Sequence, residues 1–100
     1  MFGLLERDIL DIKKALSRFE EIERAVIFGS RAMGNYKKGS DVDIAIMGDK
    51  ISTKTLMELV DLLNEEYPIP YFFDILHYES INNQNLTEHI NNEGIEIYKR

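Results

Sequence analysis

The chain has no cysteine among its 100 residues. That excludes disulfide scaffolding and thiolate metal sites, and it suits a reducing compartment. No apolar run approaches the ~20 residues that a bilayer-spanning helix needs. The opening stretch, MFGLLERDILDIKK, has no basic leader ahead of a long apolar segment, so a secretory signal is not expected and a cytoplasmic setting is. Repeats and low-complexity tracts are also missing. Positive charge is scarce: 12 Lys and Arg stand against 18 Asp and Glu, a net of -6. A general nucleic-acid binder needs a basic face to displace counterions, so direct nucleic-acid binding is not expected. The sign reverses locally, because Arg31, Lys37 and Lys38 lie between Ser30 and Ser40 with no acid among them. What is present has the proportions of one globular domain over residues 1–100.

The apolar pattern predicts an α/β chain with a small sheet. Leu5, Ile9, Ile12, Leu16 and Phe19 recur at helical spacing and predict an amphipathic helix with a core-facing stripe. Residues 24–29, RAVIFG, read as a strand ending in a sharp turn, and Ser30 to Gly34 as a short helix. Residues 41–47 read as a second strand, expected antiparallel to the first because the connection is short. Ser52 is placed to cap a helix carrying Leu56, Leu59, Val60 and Leu63, which Pro68 and Pro70 stop. A third strand is expected over residues 71–76, YFFDIL. A last helix is expected to start at Asn85 and stop at Gly94, with IEIY adding a short strand.

Asp41 and Asp43 carry the chemistry. Residues two apart on a strand share a face, about 7 Å from each other. Acids are poor strand formers and like charges repel, so such a pair fits a cation held between them. Two side chains at this spacing can converge on one Mg²⁺ or bracket two. Gly29-Ser30 leaves backbone N–H groups and a hydroxyl for an anion, and the basic loop suits a polyphosphate. Asp74 is the lone acid in an apolar strand, where an unpaired buried carboxylate is costly, so it is expected to join the other two. Competing motifs fail on spacing. An EF-hand loop wants an oxygen ligand where Ala45 stands, and a P-loop wants Lys and Ser or Thr where Asn35 and Tyr36 stand. His77 and His89 are expected at the surface or an edge, and Tyr67, Tyr71, Phe72 and Phe73 mostly in the core and its margin.

Gly29-Ser30, Arg31, Gly34, the Ser40-Asp41-Val42-Asp43 strand and the later Asp74 together resemble the signature of the polymerase-β-like nucleotidyltransferase superfamily. At this length the resemblance narrows to the minimal nucleotidyltransferases, the MntA-like antitoxins paired with HEPN-domain toxins. It implies a mixed, mostly antiparallel sheet flanked by helices, the polymerase-β palm-like fold. It also implies transfer of AMP from ATP to a hydroxyl, a tyrosine first of all, of a cognate HEPN toxin, in a type VII-like toxin–antitoxin pair that forms a hetero-oligomer. Asp41, Asp43 and Asp74 would then be the catalytic carboxylates and the ligands of two Mg²⁺ ions, with Asp74 drawing the acceptor proton. Gly29, Ser30, Arg31 and Ser40 would bind the nucleotide. Family members often carry a second arginine where Met33 stands, a charge that Lys37 or Lys38 would replace. The other readings weighed are transfer to a small molecule resembling an aminoglycoside, and a non-catalytic antitoxin that blocks its partner by occupancy.

Overall fold

The computed structural model describes residues 1–37 and 39–100. Helix α1 spans Glu6–Ser17, and Ile12 and Leu16 of the expected stripe are fully buried, with Ala15 beside them. Leu5 departs from the stripe, since it stands at the N-cap and is exposed. Its backbone N–H instead donates to the carboxylate of the buried Asp8.

Strand β1 (Arg24–Phe28) and strand β2 (Val42–Met47) flank a four-residue helix, α2 (Ser30–Met33), whose left-handed cap is Gly34. Ser52 caps helix α3 (Thr53–Asp61), its hydroxyl accepting from Thr55 N–H at 3.2 Å. That helix widens into a π-turn over Leu62–Glu66 before Pro68. Strand β3 runs Phe73–His77, starting two residues later than the apolar pattern suggested. Tyr71 and Phe72 fall outside it because Tyr71 is taken up against Arg31.

Helix α4 (Gln84–Glu93) starts early instead, because Asn83 rather than Asn85 supplies the cap, accepting from Leu86 N–H at 3.1 Å. Gly94 does end it, by crowding rather than by a left-handed turn. Its φ is -67°, and a Cβ there would strike the Ile90 carbonyl and the Val26 side chain. Strand β4 (Ile95–Lys99) completes the sheet.

The sheet order is β3-β2-β1-β4. β1 is antiparallel to β2 and to β4, while β2 and β3 are parallel, as a strand–helix–strand crossover requires. The expectation of a mixed, mostly antiparallel sheet is met. Alternation divides the sheet into two faces. Ala25, Ile27, Val42, Ile44, Ile46, Phe73 and Ile75 pack with residues of α1 and α3 in the main core. Val26, Phe28 and Ala45 face the other way and pack with Ile90 of α4 in a smaller one. Asp43 shares the parity of Ala45, so it belongs to the α4 side. Among the described residues no helix is long and apolar enough to cross a membrane.

Candidate active site

The site begins where β1 runs out. Gly29 has φ 74° and ψ -155°, a combination that only glycine adopts without strain. It is needed for space as well, because a Cβ at Gly29 would overlap the Asp43 carboxylate. Asp43 is paired across the ladder with Phe28, the residue just before this turn. On its other side Asp43 is paired in parallel register with Asp74. Neighbouring strands lie about 4.8 Å apart, so the two carboxylates stand side by side. Asp41 precedes β2 by one residue and is exposed, as Asp74 is.

Partial burial, first of all, and then the neighbouring Asp74 and Asp41 carboxylates push the Asp43 carboxyl above its ordinary value. His89 and Arg31 pull it partly back. Asp43 therefore lies in the field of both other acids. Among the described residues no three acidic or histidine side chains are already closed around a point. The register places Asp43 beside Asp74. The donors are all carboxylate oxygens, the set preferred by hard divalent cations, and Gly29 leaves Asp43 the room to serve. The residues fit such an ion.

Asp74 corrects one premise, that it would be a buried acid in need of a partner. It is exposed, because the edge strand β3 turns its even positions toward the open half of the α4 face. Arg31 corrects another. Only 3% of it is accessible, and its guanidinium donates from Nη1 to the Phe2 carbonyl at 2.7 Å and from Nη2 and Nε to the Ser40 carbonyl at 2.6 and 3.1 Å. The rings of Tyr36 and Tyr71 lie 5.1 and 4.7 Å from its central carbon. Arg31 thus pins the residue preceding Asp41, and its guanidinium is committed within the fold. Ser40 is occupied in the same loop, its hydroxyl accepting from Lys37 N–H at 2.9 Å. Lys38 lies outside the described residues.

His89, expected at the surface or an edge, is half-buried and packs against the turn. Its Nε2 accepts from Gly29 N–H at 3.0 Å, and its ring meets that of Phe28 edge-on at 6.1 Å. The available signal was helical spacing, since Leu86, His89 and Ile90 share the inner face of α4. His77 is half-buried at the far end of β3, with Nδ1 2.9 Å from the Ser80 hydroxyl. A cavity of about 740 Å³ lies between α3 and α4, lined by Leu56, Ile75, Ile81 and Leu86 among others, and contains none of the three carboxylates. Charge and register mark the site better than depth.

A family model described as polymerase beta, nucleotidyltransferase, matches residues 11–100. The chain belongs to the polymerase-β nucleotidyltransferase family. It is a nucleotidyltransferase, and the Gly29-Ser30 turn with the Asp41–Asp43 strand stands inside the matched span. A "putative protein adenylyltransferase" of Methanocaldococcus jannaschii is 27% identical over 95 residues, covering 89% of this chain and 94% of the relative. Two solved structures share the fold. One is a toxin–antitoxin complex with AMP-PNP, at 19% identity and a TM-score of 0.73, covering 97% of this chain and 75% of that one. The other is a tri-AMPylated Shewanella oneidensis HEPN toxin in complex with an MNT antitoxin, at 18% identity and a TM-score of 0.71, covering 95% and 72%. The resemblance to minimal nucleotidyltransferases holds at the level of fold.

Proposed function

We propose that this nucleotidyltransferase is a protein adenylyltransferase that moves AMP from ATP onto a tyrosine of a HEPN-type partner toxin, neutralising it. The observation that carries the chemistry is the register of Asp43 beside Asp74, with Asp41 two residues before Asp43 and the Gly29 turn against Asp43. The choice of acceptor is supported by the relative named as a protein adenylyltransferase and by the AMPylated HEPN toxin of a similarly folded antitoxin. A cytoplasmic setting, where ATP is at hand, suits this reading.

The acceptor oxygen attacks the α-phosphorus in line, a new P–O bond forms, and the bond to the bridging oxygen breaks to release pyrophosphate. The acceptor proton passes to Asp74. Ser30 receives the phosphate tail through its backbone N–H and hydroxyl, while Gly29, whose own N–H is taken by His89, lets the turn approach closely. Arg31 and Ser40 act by fixing the approach to Asp41, and Lys37 remains a surface cation at the loop. Asp41, Asp43 and Asp74 would hold two Mg²⁺ ions, which supply charge neutralisation for the triphosphate and for the entering and leaving oxygens.

The test is the intact mass of a purified HEPN-type partner after incubation with the protein, ATP and magnesium. One or more added nucleotide monophosphates on tyrosine support the reading. An unmodified partner that is nonetheless neutralised, by wild type and by the Asp41→Ala, Asp43→Ala double variant alike, would replace it with blocking by occupancy.

A further inference from the structure

Phe72 is 60% exposed. A phenylalanine left in water forgoes the stabilisation that burying its ring would give. Its neighbours are both used by the fold: Tyr71 stacks on Arg31, and Phe73 is 1% exposed in the main core. The Phe72 main chain is nevertheless tied to the sheet. Its carbonyl accepts from Val42 N–H at 2.9 Å, so extended pairing with β2 continues one residue ahead of β3. Alternation then puts its ring on the face opposite Phe73, the face of Asp74, two residues along the same edge strand.

Across that face the functional groups run in order. The Gly29 turn ends β1, Asp43 lies on the adjacent β2, and Asp74 and Phe72 lie along β3 at the sheet's edge. With the triphosphate tail at the turn, the departing pyrophosphate leaves toward β1. In-line displacement brings the attacking oxygen from the opposite side of the α-phosphorus, which is the side of β3. Aromatic side chains supply large, well-defined contact area and suit another ring.

We infer that Phe72 is the acceptor-docking residue, its ring packing against the tyrosine-bearing segment of a protein acceptor and holding the hydroxyl near Asp74. This rests on the adenylyltransferase reading for its acceptor but makes a separate claim about where that acceptor sits. A nucleobase is the competing occupant, and the two are separated by which KM the ring controls.

The experiment compares wild type with Phe72→Ala and Phe72→Leu, using a purified HEPN-type partner. Transfer kinetics are measured against partner and against ATP, and partner binding is measured by calorimetry. Phe72→Ala is expected to raise KM for the partner and weaken its binding by about tenfold or more, as truncation of a buried interface aromatic does. KM for ATP and the melting temperature should stay unchanged, and Phe72→Leu should recover most of the loss. A rise in KM for ATP with partner KM unmoved would assign the ring to the base and overturn the inference. Unchanged constants, or a wild type that does not bind the partner, overturn it as well. If wild type binds without transferring AMP and Phe72→Ala weakens that binding, docking stands and the enzymatic reading falls.

Discussion

The Gly29 N–H donates to His89 Nε2 at 3.0 Å, joining residues 60 positions apart at the turn where β1 meets α2. Because Gly29 lies directly against Asp43, a helix on the far side of the chain sets the height of the turn over the carboxylates. His89→Ala leaves that N–H without its acceptor. A cost of about 1 kcal/mol is expected, a fall in melting temperature of roughly 4–8 °C for a domain of this size. The variant should raise KM for ATP more than it lowers kcat, and His89→Gln, which keeps an acceptor, should restore part of both. Thermal melts and initial rates check this.

Gly29→Ala meets two obstacles at one atom. The backbone conformation costs a non-glycine residue about 1–3 kcal/mol, and the new methyl displaces the Asp43 carboxylate. The expected outcome is a folded but destabilised protein that no longer binds nucleotide. Titration with a fluorescent ATP analogue, alongside circular dichroism, separates loss of the site from loss of the fold.

Asp43→Asn should stabilise the protein while abolishing transfer. Burial and its acidic neighbours raise the Asp43 carboxyl in the folded state, so its contribution to stability is full below the unfolded-state value. That contribution is lost as pH rises through the folded-state value. At neutral pH the ionised group is therefore a liability in the metal-free protein. The wild type should melt below the variant near pH 7, and the gap should shrink as pH falls through the carboxylate range. Added magnesium should raise the melting temperature of wild type more than that of Asp43→Asn.

Arg31→Lys distinguishes a staple from a phosphate ligand. A lysine keeps the charge but loses the two-pronged grip on the Ser40 carbonyl and the planar contact with Tyr36 and Tyr71. Destabilisation of about 2 kcal/mol is expected from the lost charge-assisted bonds, readable as a lower urea midpoint without nucleotide. A ligand role alone would leave that midpoint in place and change only ATP affinity.

Local pattern settled much of this protein in advance. The stripe from Ile9 to Leu16, the glycine after RAVIF, the cap at Ser52 and the alternation around Asp41 and Asp43 each depend on neighbours in the chain. Helices, turns and the shared side of two acids follow from spacing that any reader of the residues can count. Tertiary structure alone decided which side of Arg31 faces inward, that Phe72 rather than Phe73 stays in solvent, and that Asp74 lies level with Asp43. It also brought His89 to Gly29. Those facts turn on which strands become neighbours and on the rotation of α4 against the sheet. Both are set by burying distant apolar surfaces together, and no local spacing encodes them.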